Sequence, residues 1–262
     1  MDSNLLLELI ESTLDEVLPK VDERPAVLSE AMRYAVGTGG KRVRPLVCLA
    51  SAVAVGGKPE DARYPAAAIE LLHNYTLVHD DLPSMDNDSE RRGKPSVWAR
   101  FGEANAILAG DALQALAFSV AAKAPCNVGE IVSTLGNAGV GVVQGQVEDV
   151  TEVGSREYGK GDVDFIYTHK TADLFVAAAV MGGYAGGGSE ADIEALRKFA
   201  LNLGLAFQYE DDLLDGDSPY PREKTEELVR ETTDAAVAAL AVLPGETSYL
   251  KSLAKKLAVR SV

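Results

Sequence analysis

Residues 70–88 read ELLHNYTLVHDDLPSMDND, an apolar helical run that leads into a cluster of acidic side chains. On one regular helix, Asp80 and Asp86 would lie about 240° apart around the axis and could not act together. Pro83 has no amide hydrogen and disfavours helical geometry in the residue before it. We therefore predict that the helix ends or kinks near Asp81, so that the chain turns Asp86 back toward Asp80.

A second acidic cluster, YEDDLLD at residues 209–215, also follows an apolar run. Asp211 and Asp215 are four residues apart, so they lie about 40° apart on one helical face and repel each other. Solvated helix ends are the alternative interpretation, although acidic residues at a helix C-terminus oppose the helix dipole. Two clusters of carboxylates without a set of cysteine and histidine ligands favour magnesium over zinc.

Apolar residues recur at helical spacing through most of the chain, whereas strand-like alternation is almost absent. The pattern predicts an N-terminal helix around Leu5–Leu18 and further helices at about 25–36, 42–55, 60–81, 103–123, 128–152, 162–185, 189–215, 221–241 and 246–260. No segment has the composition of a linker between domains. The sequence therefore predicts a single domain over residues 1–262, an all-α bundle of about ten helices.

The composition excludes several classes of protein. With 25 Lys and Arg against 40 Asp and Glu, the net charge of −15 argues against a nucleic-acid or anionic-membrane partner. The two cysteines, Cys48 and Cys126, lie far apart in apolar surroundings, which predicts two reduced core cysteines in a cytoplasmic protein. The longest uncharged stretch, Leu174 to Ser189, is short for a membrane span and contains five glycines, so we expect no stable membrane insertion.

Cations stand beside the acidic clusters despite the negative net charge. Lys41, Arg42 and Arg44 follow two glycines, the pair Arg91 and Arg92 follows the first acidic cluster, and Lys170 lies within a predicted helix. A single Lys–Arg pair usually belongs to a solvated surface. Placed near acidic clusters, however, these groups predict that a polyanion such as a diphosphate is held between them.

Taken together, these motifs resemble the trans-isoprenyl diphosphate synthases, the short-chain polyprenyl synthetases. The similarity rests on GGKRVRP (39–45), ELLHNYTLVHDDLPSMDNDSERRGKPSVW (70–98), GQVED (145–149), HKTADLF (169–175) and FQYEDDLLD (207–215). It implies an isoprenoid-synthase-type helical bundle around a central apolar pocket, and normally a homodimer. It also implies an enzyme that joins an allylic diphosphate to isopentenyl diphosphate with the help of about three magnesium ions.

The resemblance also implies the role of each site residue. Magnesium would be bound by Asp80, Asp86 and Asp211, by Asp215 through water, and with support from Asp81 and Asp212. The allylic diphosphate would contact Arg91 and Lys170, and isopentenyl diphosphate would contact Lys41, Arg44, His73 and Arg92. Thr171 and Gln208 would face the developing cation, with Gln146 and Asp149 nearby, and together with Lys170 they are the candidate catalytic residues. A core histidine remains the alternative interpretation of His73.

Three points of function stay open in the sequence. Tyr75, five residues before Asp80, resembles the pocket floor of bacterial-type farnesyl diphosphate synthases, but a geranylgeranyl product remains possible, and a helical wheel places Thr76 nearer the face of Asp80.

The region after Asp215 is shorter than in typical family members, and Lys224 is best read as a solvated lysine. A non-catalytic homologous subunit is therefore the alternative to an active enzyme. A terpene cyclase is disfavoured, because it would need no isopentenyl diphosphate site.

Overall fold

The structure, a computed structural model, describes residues 2–152, 160–216 and 218–258. Within these ranges the chain is a bundle of helices with one pair of two-residue strands, which confirms the predicted all-α class. The helices are α1 (Ser3–Val17), α2 (Ala26–Gly37), α3 (Val43–Ala54), α4 (Arg63–Asp80), α5 (Val97–Phe101), α6 (Glu103–Ala121), α7 (Val128–Glu152), α8 (Lys160–Ile166), α9 (Asp173–Ala185), α10 (Glu190–Asp215), α11 (Arg222–Ala239) and α12 (Ser248–Leu257). The strands β1 (Glu90–Arg91) and β2 (Lys94–Pro95) pair antiparallel between α4 and α5.

The observed helices differ from the predicted segments at two places near the polar residues. The segment predicted at 60–81 opens with a 3₁₀ turn before α4 begins. The segment predicted at 162–185 is α8, then a π-helical turn at Tyr167–Ala172, and then α9. Gly145 of α7 packs against this turn, and a β carbon there would lie 2.5 Å from the amide nitrogen of Lys170. Close helix packing therefore accompanies the change in helical pitch, which local sequence patterns do not show.

Three central helices, α3, α4 and α9, carry the most buried layer of the bundle. Helix α9 packs against α3, α4, α7 and α10, and its alanines and glycines allow close approach of neighbouring backbones. At Gly182, an added β carbon would overlap the carbonyl oxygen of Cys48 on α3. Because that oxygen belongs to the backbone of a buried helix, it cannot move aside as a flexible side chain would.

The first acidic cluster adopts the predicted turn. Helix α4 ends at Asp80, Asp81 caps it, and the amide of Asp86 donates a hydrogen bond of 2.9 Å to the carbonyl oxygen of Asp80. Asn87 then takes a left-handed backbone conformation with φ of 55°, a region that asparagine tolerates better than most residues. The prediction that the helix ends near Asp81 and turns Asp86 back toward Asp80 is therefore confirmed.

Helix α6 is the one described helix that is long and apolar enough to cross a membrane by length and composition. Of the apolar window in this helix, 39% is buried inside the fold. Core helices of proteins that cross no membrane meet the same two criteria. Length and hydropathy alone therefore do not show that α6 crosses a membrane. Its exposed apolar side chains, Ile107 and Leu108, require a separate explanation.

We predict that Gly182→Ala destabilises the fold through the α3–α9 contact. Overpacking a core typically costs about 1–3 kcal/mol, and here the new methyl group meets backbone. Gly37→Ala is the matched control, since a β carbon at Gly37 meets nothing within 4 Å. Chemical denaturation should show a lower free energy of unfolding for Gly182→Ala and little change for Gly37→Ala. Equal effects of the two substitutions would contradict this account of the packing.

Candidate active site

The first acidic cluster contains one anchored carboxylate beside a partly buried one. Asp81 is 2% exposed, and its Oδ1 accepts a hydrogen bond from Arg91 Nε at 2.7 Å and forms an ion pair with Arg91 Nη2 at 2.5 Å. Arg91 lies on β1, so the strand pair brings this guanidinium back to the end of α4. Asp81 thus positions Arg91, while Asp80 faces the interior of the site.

The ionised form of the Asp80 carboxylate is disfavoured by its surroundings. The pKa of Asp80 is raised to about 6, first by burial and also by the nearby charges of Asp86 and Asp81. The positive charges of Lys170 and Arg91 act in the opposite direction and lower this pKa. The structure therefore brings Lys170 of the π-helical turn into electrostatic range of the first acidic cluster, as predicted for a shared anion site.

In the second acidic cluster, too, one of the two central carboxylates is buried and hydrogen-bonded, and the other is less buried. Asp212 is 6% exposed, and its oxygens accept hydrogen bonds from the Tyr167 hydroxyl at 2.5 Å and from Gln208 Nε2 at 2.9 Å. Gln208 Oε1 in turn accepts a hydrogen bond of 2.7 Å from the Thr171 hydroxyl. Asp211 is partly buried and Asp215, at the end of α10, is exposed. Asp212 therefore holds the side chains of Tyr167 and Gln208 in place.

Part of the predicted isopentenyl diphosphate site comes together around α3 and α4. Arg44 Nη1 lies 3.4 Å from His73 Nε2. Burial lowers the pKa of Arg44 to about 10, while the charge of Asp211 opposes that shift. Burial, together with Arg44 and Arg92, holds the pKa of His73 well below its ordinary value, so the imidazole is neutral near pH 7. The buried Nε of Arg44 has no hydrogen-bond partner among the described residues, which suits an anion.

Lys41, another predicted contact of isopentenyl diphosphate, lies in the loop before α3. It is exposed and lines a separate groove of about 610 Å³ between α1, α3 and α12, together with Tyr249 and Lys256. The guanidinium of Arg92 donates a hydrogen bond to the carbonyl oxygen of Gly39, so Arg92 connects the Gly-Gly turn to the strand pair. Lys41 lies two residues before α3 begins, and Arg44 lies in the first turn of that helix.

Two cavities lie along α7, one polar and one apolar. The polar cavity, of about 400 Å³, is lined by Asp149, Val163, Ile166, Tyr167, Lys170, Thr171, Gln208, Asp212 and Pro219. The apolar cavity, of about 370 Å³, is lined by Tyr75, Thr76, His79, Asp80, Leu82, Ser84, Met85, Val142, Val143, Gln146, Val147 and Val150. Lys170 Nζ donates to Asp149 Oδ2 at 2.5 Å. A polar compartment and a compartment suited to a hydrocarbon therefore share α7 as part of their walls.

Comparison with known proteins identifies the family of the chain. The family model for polyprenyl synthetases matches residues 25–235. The chain belongs to the polyprenyl synthetase family. It is 45% identical over 221 residues to the heterodimeric geranylgeranyl pyrophosphate synthase large subunit 1, chloroplastic, of Arabidopsis thaliana, a match that covers 79% of this chain and 58% of that protein. The chain thus spans less than two thirds of the length of this relative.

Solved structures of the family superpose on nearly all of the chain. An FPP/GFPP synthase from Zymomonas mobilis has a TM-score of 0.89 at 35% identity and covers 96% of both chains. A polyprenyl synthase from Caulobacter crescentus, complexed with calcium and isoprenyl diphosphate, has a TM-score of 0.87 at 25% identity and covers 99% of this chain and 96% of its own. The chain therefore has the polyprenyl synthetase fold.

The predicted magnesium ligands do not form a cluster of three or more in the described part of the chain. Within residues 2–152, 160–216 and 218–258, no three His, Cys, Asp or Glu side chains converge on a common point. Magnesium commonly takes one or two carboxylates and completes its shell with water and substrate phosphate. The partly buried Asp80, whose pKa is raised, is suited to such a role, whereas Asp81 and Asp212 already bind donors of the protein.

Tyr167 is a site residue that the sequence motifs do not predict, and Asp149 is predicted only as a neighbour of the site. Tyr167 lies three and four residues before Lys170 and Thr171, so helical spacing alone places all three on one face. That spacing was the available signal for Tyr167. Asp149 was visible in GQVED, but its ion pair with Lys170 joins α7 to the π-helical turn and depends on tertiary packing.

We predict that Asp80→Asn stabilises the metal-free protein at neutral pH. Because the folded-state pKa of Asp80 is raised from 3.8 to about 6, ionisation penalises the folded state as pH rises through this window. Removing the charge should raise the free energy of unfolding by about 1–3 kcal/mol at pH 7.5 and have little effect at pH 4. Chemical denaturation in the presence of a chelator measures both values.

The control for this prediction is Asp88→Asn in the same acidic cluster. The side chain of Asp88 is 54% exposed and lies 3.6 Å from Arg91, and surface pairs of this kind contribute little. A stabilisation of Asp88→Asn equal to that of Asp80→Asn, or no pH dependence for Asp80→Asn, would show that burial of Asp80 is not the cause.

Proposed function

We propose that the chain is a short-chain prenyltransferase that condenses an allylic diphosphate with isopentenyl diphosphate. The observation that carries the proposal is the position of Asp80, which lines the apolar cavity while Lys170 of the polar cavity acts on its charge. A diphosphate held at this boundary would place its prenyl chain among apolar side chains. The geranylgeranyl pyrophosphate synthase named among its relatives supports the same activity.

In the proposed reaction, the carbon–oxygen bond of the allylic diphosphate breaks and pyrophosphate leaves with the electron pair. About three magnesium ions per site, held by Asp80, Asp86 and Asp211, would stabilise the negative charge on that leaving group. Arg91 and Lys170 supply further positive charge there. The apolar cavity keeps water away from the allylic cation.

The second substrate completes the reaction in this proposal. Arg44 and the neutral His73 hold the diphosphate of isopentenyl diphosphate, with Arg92 beside them. The double bond of that substrate attacks the allylic cation and forms the new carbon–carbon bond. The hydroxyl of Thr171 and the carbonyl oxygen of Gln208 face the developing positive charge, and the released pyrophosphate takes the final proton.

The proposed product has 15 or 20 carbon atoms, as farnesyl or geranylgeranyl diphosphate. Tyr75 is 8% exposed and lines the apolar cavity next to Thr76, and its ring packs edge-on against His79 with centroids 5.0 Å apart. An aromatic ring fixed in this way supports a short cavity and a farnesyl product. The similarity to a geranylgeranyl pyrophosphate synthase supports the longer product.

The short connection after α10 is compatible with a closed site. Gly216 ends α10 in a left-handed conformation, and Pro219 lines the polar cavity. Lys224 pairs with Glu227 on the exposed surface of α11 and does not line that cavity, as the sequence suggested. We propose that the shortened connection itself covers one side of the diphosphate site.

We propose that the protein forms a homodimer through α6 and α7. Val140, Val143 and Val147 repeat at helical spacing on α7 and are 60%, 44% and 57% exposed, and Ile107 and Leu108 of α6 are also exposed. Contiguous exposed apolar patches typically mark interaction sites. Val143 and Val147 also line the apolar cavity, so a second copy would cover an open side of that cavity.

We also propose a cytoplasmic location. Among the described residues both cysteines are free, Cys48 in the core and Cys126 at the surface, which suits a reducing compartment. The word chloroplastic in the name of the Arabidopsis relative points to the plastid as the alternative.

The decisive experiment is incubation of the protein with magnesium, isopentenyl diphosphate and geranyl diphosphate, followed by chromatography of the products. We expect an all-trans prenyl diphosphate, and a loss of rate of roughly 100-fold or more in Asp80→Ala and in Asp211→Ala, because charge stabilisation by metal is worth several kcal/mol. Asp88→Ala, in the same cluster but exposed, should retain most of the activity.

Other outcomes of this assay select the alternatives. No turnover by folded protein would favour a non-catalytic subunit, and a cyclic hydrocarbon would indicate a terpene cyclase. Retained activity in Asp80→Ala would remove the metal assignment.

We predict that Val140→Glu shifts the protein from dimer to monomer. The side chain is 60% exposed and does not line either cavity, so the substitution adds charge to the α7 face alone. Sedimentation equilibrium over a range of concentrations measures the change. Val242→Glu, at a position that is 73% exposed away from α7, serves as the control and should leave the association unchanged. A monomeric wild-type protein would refute the dimer.

A further inference from the structure

Tyr167 closes a chain of hydrogen bonds between the π-helical turn and α10. Its hydroxyl donates to Asp212 Oδ2 at 2.5 Å, and Asp212 Oδ1 accepts from Gln208 Nε2 at 2.9 Å. The Thr171 hydroxyl then donates to Gln208 Oε1 at 2.7 Å. Both ends of this chain lie on the π-helical turn, and both middle members lie on α10, so it joins the two elements that carry Lys170 and Asp211.

The direction of each hydrogen bond follows from the carboxylate in the middle. An ionised Asp212 can only accept, so the amide nitrogen of Gln208 must point toward it and the amide oxygen must point toward Thr171. Tyr167 holds the second oxygen of Asp212 and thereby limits its rotation. Burial and the Asp212 carboxylate raise the pKa of the Tyr167 phenol far above its ordinary value, so this hydroxyl remains a donor at working pH.

We propose that Tyr167 is a positioning residue that sets Gln208 and Thr171 through Asp212. This proposal rests on the prenyltransferase function proposed above and deepens it. Tyr167 lines the polar cavity together with Lys170, but its hydroxyl is directed to Asp212. Without that hydroxyl, Asp212 can turn, and the amide of Gln208 loses its single orientation toward the reacting carbon atoms. The acidic face of α10 also becomes less firmly held against the π-helical turn.

The neighbouring Tyr209 provides a matched control. Its ring packs edge-on against Tyr167 with centroids 5.6 Å apart, and it is 6% exposed. Its hydroxyl is outside the hydrogen-bond chain that joins Tyr167, Asp212, Gln208 and Thr171. Tyr209→Phe therefore removes a phenolic oxygen from the same aromatic cluster and leaves the chain intact.

The test compares Tyr167→Phe, Tyr209→Phe and wild type in three measurements. We expect Tyr167→Phe to lower kcat roughly tenfold or more, as the loss of a hydrogen bond to a charged group would do. The KM for isopentenyl diphosphate should change less than about twofold, because Arg44 and His73 lie outside the chain. Calorimetric titration with magnesium and inorganic pyrophosphate should show weaker binding to Tyr167→Phe only. The melting temperatures of the two variants without ligand should agree within a few degrees.

A double substitution separates positioning from a general loss of structure. In an Asp212→Asn background, adding Tyr167→Phe should cause little further loss of kcat, because the two residues act through one chain. Independent, multiplying losses would overturn the proposal, as would unchanged kcat and pyrophosphate binding in Tyr167→Phe or an equal defect in Tyr209→Phe.

Failure of the proposed function is distinguishable from failure of this proposal. If wild type binds magnesium with pyrophosphate but turns over no prenyl substrate, the prenyltransferase assignment fails. The titration then decides the role of Tyr167 alone, since weaker binding to Tyr167→Phe than to Tyr209→Phe supports it and equal binding overturns it.

Discussion

The central constraint on this molecule is the burial of carboxylates at the inner ends of apolar helices. Desolvation alone raises the pKa of Asp80, and two further acids of the same cluster add to the effect. Such a site is tolerable only because cations from distant parts of the chain reach it. Arg91 arrives on a two-residue strand and Lys170 arrives on a π-helical turn. The irregular parts of the bundle therefore serve to bring positive charge to Asp80.

The two acidic clusters share one arrangement in which the second aspartate of each pair is an anchor. Asp81 holds Arg91, and Asp212 holds Tyr167 and Gln208, so each is buried and already hydrogen-bonded. Buried carboxylates need such donors because an unpaired one costs several kcal/mol. The preceding aspartate of each pair is then left as the less buried member. In each pair the second aspartate holds protein side chains in place, and the first is the one that the proposed function assigns to the metal-bound diphosphate.

The sequence predicts what depends on local geometry and misses what depends on distant contacts. The turn after α4 was predictable because Pro83 acts on its neighbours, and helix ends were predictable because Gly and Pro lie between the apolar runs. The π-helical turn has no such local cause, and it coincides with close packing against Gly145. The groove that Lys41 lines together with residues of α1 and α12, and the hydrogen bond from Tyr167 to Asp212, likewise arise only when helices pack.

Helix α7 links the polar chemistry to the outer apolar surface. Gln146 and Asp149 lie toward the interior, whereas Val143 and Val147 are exposed and also line the apolar cavity. The buried Nε2 of Gln146 has no hydrogen-bond partner among the described residues, a cost of about 1–3 kcal/mol that a bound polar group would remove. One helix thus presents to the apolar cavity both a donor and exposed valines. In the proposed homodimer a partner subunit covers the same valines, so assembly and the shape of the hydrocarbon cavity would be physically coupled.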